Sequence, residues 1–342
     1  MKRGALLGIA VIAVGAMPGF GAEDGPPLAG RTYLVLPFEN VVEDASLDWL
    51  SSGLALSIGE ALRGFGGRPI EDEERSVFLE GSGVPPGATL SLGTALDLGR
   101  RARSRPGGTA PDRLVLGRFT VQDGGLQLQA RTVDLEASKA GAWVARDGRL
   151  RDLLEVQEDL AVGLLEAEGV KASGRSESLR RQRGGLPLLA FETYCRAMAE
   201  TDTRKRLQLL RRAVQEFPGY PKAAYQGALL LAREERWGEA AVLLGKAAFD
   251  PHPYEADFHL LAATVALERR EAERAAEAAR RALAFEESAR GHLLLARALV
   301  LLGDREQARA ALERARVVDP SDPEVADLLK SLENGTAPRR AQ

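Results

Sequence analysis

The sequence predicts an α+β protein: a mixed α/β domain over residues 30–168, then an all-α solenoid of helical hairpins over 188–334. Three observations carry this. Ala213, Ala247, Ala282 and Ala315 recur at steps of 34, 35 and 33 residues, the period of stacked helical hairpins. Residues 30–168 instead alternate strand-like and helix-like periodicities. Between the two, residues 169–187 mix glycine and serine with Arg175, Arg180, Arg181 and Arg183, the composition of an interdomain linker.

The domain elements follow in order. Thr32 to Phe38 is a short apolar run with the look of a buried strand. Leu47, Leu50, Leu54, Ile58, Ala61 and Leu62 then recur at three- and four-residue steps, one face of a helix ending at Gly64. Residues 81–108, rich in glycine and proline, read as loop, and Glu71-Asp72-Glu73-Glu74 reads as a solvated acidic run. Leu114–Val121 and Leu126–Val133 flank Asp123-Gly124-Gly125, a hairpin signal. Gln127, Gln129 and Arg131 alternate with Leu126, Leu128 and Ala130, so one hairpin face should be wet. A third strand is expected at 142–145, before a helix whose stripe starts at Leu150.

The clearest hairpin of the solenoid is 289–320. Leu295 and the small Ala296 sit in its first helix and Gly303 breaks that helix. Ala308, Leu312 and Ala315 line the second, which stops at Asp319-Pro320. Small residues where helices cross let the backbones approach. This pattern resembles the tetratricopeptide repeat. The preceding units keep Ala275 with Ala282, and Ala240 with Ala247, but Arg270 stands at one turn-glycine position and Arg206 at the first alanine position of the opening unit. Ser321-Asp322-Pro323-Glu324 reads as the start of a further helix, whose Val325, Leu328, Leu329 and Leu332 would cover the open end of the stack. The tail 335–342 has nothing to bury and is expected to be disordered.

The N-terminal domain carries a second resemblance. Leu36-Pro37-Phe38-Glu39-Asn40, Ser52-Gly53-Leu54 and Leu116-Gly117, with the hairpin ending at Val133-Asp134, are similar to the amino-terminal domain family of TolB-like proteins. Ala190 to Arg196 resembles the junction by which such domains precede tetratricopeptide repeats. The resemblance covers about residues 30–168 and implies protein contacts at the cell envelope, with no catalytic residues to carry over.

Compartment is read from the N-terminus. Met1-Lys2-Arg3 precedes an apolar run from Ala5 to Met17 that Pro18 ends, the layout of a secretory signal peptide over 1–22. Without a cysteine after that run no lipid anchor is expected, so the chain should be periplasmic or secreted, with no integral membrane segment once the signal is removed. Cys195, the sole cysteine, can form no internal disulfide. With 49 acidic against 46 basic residues and a net charge of −3, no cationic field exists to hold nucleic acid.

Candidate chemistry is sparse. His252, His259 and His292 fall apart from one another, with no metal-ligand spacing, and no phosphate loop or nucleophile elbow is present. Gly64, Gly66 and Gly67 follow a helix, where a dinucleotide site would need them before one. Arg100, Arg101, Arg103 and Arg105 read as cations complementing a helix C-terminus. The sequence therefore predicts a protein that is not an enzyme and needs no cofactor. It reads as a scaffold or adaptor for protein partners in the bacterial envelope; an accessory subunit of an envelope complex, self-associating as a homo-oligomer through the repeats, is the alternative. The repeat resemblance implies a partner groove on the first helices at Tyr225, Leu229 and Arg233, at Leu260 and Thr264, and at Arg290, Leu293 and Arg297. Tyr225 and Leu229 replace residues that grip a terminal carboxylate in chaperone-binding relatives, so an internal segment of mixed apolar and basic character is the expected ligand.

Overall fold

Backbone chemistry explains how the first strand ends. In the computed structural model, which describes residues 28, 30–84, 88–171, 184–247 and 255–333, β1 (Thr32–Val35) stops two residues before Pro37. The chain then resumes as β2 (Glu39–Asn40) along the same neighbour. That neighbour is β4 (Arg113–Gln122), parallel to both, and β3 (Arg68–Pro69) lies parallel on the other side of β1. β4 turns into β5 (Gly125–Asp134) through Asp123 and Gly124, whose φ angles of 51° and 75° are those of a tight two-residue hairpin turn. β6 (Lys139–Ala140) and β7 (Val144–Arg149) pair antiparallel with successive parts of β5. The third strand thus runs from Val144 to Arg149, starting two residues later and ending four residues later than the 142–145 expected from sequence. Leu150 lies in a 3-10 turn before the helix begins at Leu153.

Helices cover the sheet unequally. On one face α1 (Asp48–Gly64) and α4 (Leu153–Ala167) pack on each other and on the strands. On the other, α2 (Asp72–Gly81) and α3 (Leu92–Arg103) bury Leu79, Ala95 and Ala102 against Leu34, Leu36, Leu114, Leu116 and Val133. The stretch 81–108 is therefore not all loop: Ser91 accepts a hydrogen bond from the Thr94 amide and caps α3. Nor is the acidic run merely solvated. Asp72 pairs with Arg75, and Glu74 accepts from the amide and hydroxyl of Thr109, tying α2 to the approach to β4. Arg100, Arg101 and Arg103 occupy the last turn of α3, as expected.

This compact unit does not end at residue 168. Within 28–230 it also takes in α5 (Leu188–Ala199), α6 (Thr203–Glu216) and most of α7 (Pro221–Arg233), and it includes 243–247. Trp49 of α1 meets Phe191 of α5 edge-on at 6.2 Å, the Arg196 guanidinium donates to the Ser46 carbonyl, and Lys222 pairs with Glu60. At the sheet margin Glu168 accepts from Arg31 at 2.8 Å and lies 3.8 Å from Arg113, which also meets Asp134 at 2.9 Å. Burial, with the Glu168 carboxylate adding to it, pushes the adjacent Tyr33 phenol up to about 12.

The second unit comprises 231–242 and 255–333: part of α8 (Trp237–Leu244), then α9 (Glu255–Glu268), α10 (Ala272–Phe285), α11 (Ala289–Leu302), α12 (Arg305–Val318) and α13 (Pro323–Glu333). Ala275, Ala282, Ala308 and Ala315 are fully buried where the paired helices cross. Gly303 closes α11 with φ 82°, and Arg270 takes the same left-handed backbone, φ 60°, between α9 and α10. Asp322 caps α13 by accepting from the Glu324 and Val325 amides, and Val325, Leu328 and Leu329 are buried against α11 and α12, as the capping role requires. The expected signal peptide, most of the linker, His252 and the tail lie outside the described residues. Among the described residues no helix is long and apolar enough to cross a membrane.

Candidate protein-binding surface

The first helices of the hairpins carry the expected groove residues, and each falls into a defined environment. On α7, Tyr225 and Leu229 are half-buried, and Arg233 is exposed at the helix end. On α9, Leu260 is half-buried against the alanine-rich core of α9, α10 and α11, while the Thr264 hydroxyl donates back to the Leu260 carbonyl at 2.9 Å. On α11, Arg290 is exposed.

One α11 position differs from the expectation. Leu293 is 2% exposed and packs with Leu312, Ala315 and Leu329 inside the core, so it cannot line a surface. The reason is geometric: residues four apart share a helix face, and Arg297, four residues on, lies at the margin of the stripe whose centre Leu293 occupies. Arg297 in turn donates to the Glu324 carboxylate of α13 at 3.1 Å. This end of the surface presents an ion pair, and Glu324 belongs to the candidate set though nothing local in the sequence marks it.

The structure brings α9 and α11 into contact, so Leu260, Thr264, Arg290 and Arg297 stand on neighbouring helices. Beside them His259 is 5% exposed, its ring stacked on Phe285 at 6.0 Å and edge-on to Phe258 at 5.8 Å. Burial, reinforced by the nearby Arg281 charge, lowers its pKa, so the neutral imidazole is favoured. His292 faces Glu287 at 3.4 Å, and Arg314 approaches the same carboxylate at 3.9 Å.

No arrangement suited to bond-making emerges among the described residues. No group of three metal-ligating side chains occurs there. Cys195 is fully buried, and burial, then the Glu60 charge, pushes its thiol well above the ordinary range, the opposite of what a nucleophile needs. Within the second unit, α9 and α11 present half-buried Leu260 beside the guanidiniums of Arg290 and Arg297, and α7 by itself presents half-buried Tyr225 and Leu229.

No curated protein matches the chain significantly. Among solved structures, it is similar to MamA from Desulfovibrio magneticus, with 17% identity over 43% of this chain and 83% of that one and a TM-score of 0.36. It is also similar to a tetratricopeptide-repeat protein from Thermus thermophilus, with 19% identity over 52% and 91% and a TM-score of 0.31. A third likeness is to the C-terminal domain of LpoB from Escherichia coli, with 12% identity over 35% and 84% and a TM-score of 0.27. Residues 266–332, from the end of α9 through the capping helix, match the tetratricopeptide repeat family.

Proposed function

We propose that this chain is a non-catalytic adaptor of the bacterial cell envelope, in which the repeats hold one protein partner and the N-terminal domain, TolB amino-terminal-like in its motifs, engages another. The family match over residues 266–332 carries the protein-binding part of this reading. Hairpin repeats expose their first helices while burying a seam of small residues, and the seam here is alanine at Ala275, Ala282, Ala308 and Ala315. Export rests on the charged and apolar pattern of residues 1–22, and the TolB-like assignment on the short motifs between Leu36 and Gly117.

The test is capture of envelope proteins by the full chain and by a Tyr225→Ala, Arg297→Glu double variant of matched thermal stability. Loss of specific partners from the variant supports the reading; recovery of the same proteins in the same amounts overturns it. Fractionation of the source cells, with N-terminal sequencing of the mature chain, tests export, and a cytoplasmic, unprocessed protein would sink that part.

A further inference from the structure

We propose that the half of the β-sheet left bare by α2 and α3 is a docking face for an acidic, extended segment of a partner protein. The proposal rests on the adaptor reading above and gives the domain's side of it a location and a chemistry.

The face is defined by strand register. Paired residues on adjacent strands point to the same side, so Leu114, Leu116, Arg118 and Thr120 of β4 share a face with Val133, Arg131, Gln129 and Gln127 of β5. Helices α2 and α3 cover only the Leu114, Leu116 and Val133 end. Beyond it the side chains turn polar, with Arg118 and Gln127 exposed and Thr120, Gln129 and Arg131 half-buried. Next to them Trp143, just before β7, is 39% exposed, and Val41 and Val42, just past β2, are each 48% exposed. A shallow depression lies between Val41, Arg118, Thr120, Gln127 and Gln129.

The face carries both signs of charge, since register also places Glu39 opposite Arg118 and Asp147 opposite Gln127, but Glu39 accepts from Thr89 and the imbalance is local to Trp143. The Arg118 and Arg131 guanidiniums sit 4.8 and 4.4 Å from the centroid of the same indole, that of Trp143. Two positive charges thus share one ring within about a Debye length of each other, where they repel. Neither meets a carboxylate among the described residues: Arg118 donates to Gln129 at 2.8 Å, and the buried Nε of Arg131 has no hydrogen-bond partner. Arg113, on the same strand as Arg118, shows the contrast, since it is neutralised by Asp134 and Glu168. A carboxylate placed between Arg118 and Arg131 would relieve the repulsion and satisfy the guanidinium donors.

A polypeptide fits the face better than a lipid surface. Gln127, Gln129 and Thr120 offer amide and hydroxyl groups that match a peptide backbone, and among the described residues no strand pairs with the outer edge of β7. The largest apolar group, Trp143, is engaged by two guanidiniums and is not free to insert into a bilayer.

The experiment is selection from a random dodecapeptide library on the full chain, with counter-selection on an Arg118→Gln, Arg131→Gln double variant. Binding of the recovered peptides is then measured by fluorescence anisotropy. The expected peptides are rich in Asp and Glu. They should bind the double variant and a Gln127→Glu variant, which keeps both arginines, at least about tenfold more weakly than the parent. An Arg103→Gln, Arg204→Gln variant of equal net charge should bind them as the parent does. Recovery of peptides without acidic enrichment, or equal binding by all variants, overturns the proposal. So does arginine-dependent binding to phosphatidylglycerol vesicles in place of peptide, or a self-associated chain that the double variant dissociates. The repeat-surface variant Tyr225→Ala, Arg297→Glu, assayed with the same peptides, separates the two ideas: peptide binding that it abolishes indicts this face and leaves the repeat reading standing.

Discussion

A side chain on Gly53 would begin 2.8 Å from the Cys195 sulfur, closer than a real Cβ can approach. This contact is where α1 of the sheet domain and α5 of the first repeat hairpin cross, with Trp49 against Phe191 on the same seam. Gly53→Ala should therefore destabilise the fold by about 1–3 kcal/mol through overpacking. Cys195→Ala, which opens space opposite, should recover part of that loss in the double variant, with a coupling of at least about 0.5 kcal/mol. Denaturant unfolding of the four proteins measures it. Strict additivity would show that the two residues do not meet.

The same kind of contact explains what was legible in the sequence. Leu36-Pro37-Phe38 and Leu116-Gly117 were separate short motifs, yet a Cβ on Gly117 would lie 2.2 Å from the Phe38 ring. The glycine is there because the ring covers its backbone. Gly117→Ala should cost about 3 kcal/mol or more, since the obstacle is a fully buried aromatic ring. Near-parental thermal stability would count against this packing.

The alanine register was readable because it repeats at a fixed period, and the Asp123-Gly124 turn and the capping helix because each follows from neighbours in the chain. Features set by distant partners were not. Helix α3 was hidden by the glycines and prolines around it, though its apolar face packs on Leu114 and Leu135. Leu293 was placed in the groove by the repeat resemblance, which carries over a position but not what lies opposite it, and here α12 and α13 lie opposite. The Arg297–Glu324 pair spans 27 residues and has no local sign.

Arg270 occupies the left-handed backbone that Gly303 takes in the next hairpin, with φ 60° against 82°. An arginine there bears a steric cost that glycine avoids. Arg270→Gly is expected to stabilise the second unit by about 0.5–1 kcal/mol, and Gly303→Arg to destabilise it by at least as much. Thermal midpoints of both variants decide the matter, and a fall on Arg270→Gly would refute it.

His259 predicts an acid sensitivity. Its pKa is lowered in the folded state by burial and then by Arg281, against about 6.5 when unfolded. A depressed folded value means stability that is present above the unfolded pKa and lost as pH falls through the folded one. Glu286 acts in the opposite sense. Burial, then the Asp257 charge, raises its carboxyl, so its contribution is present at low pH and lost as pH rises through that raised value. The informative quantity is therefore the difference between parent and His259→Phe. From pH 7 to pH 5 the parent should lose more unfolding free energy than the variant. Parallel pH profiles would show that the imidazole does not titrate under strain.

Ala308 is fully buried among Leu293, Ala296, Leu299 and Leu312, where α11 and α12 cross. Arginine there must either force the helices apart or leave a cation without solvent, so Ala308→Arg should cost about 3 kcal/mol or more. Ala310, two residues along the same helix, is exposed, and Ala310→Arg should stay within about 0.5 kcal/mol of the parent. The pair controls for helix propensity and net charge together, so the contrast in thermal midpoint reports burial alone. Equal midpoints would mean that the alanine register, and with it the hairpin packing, is misassigned.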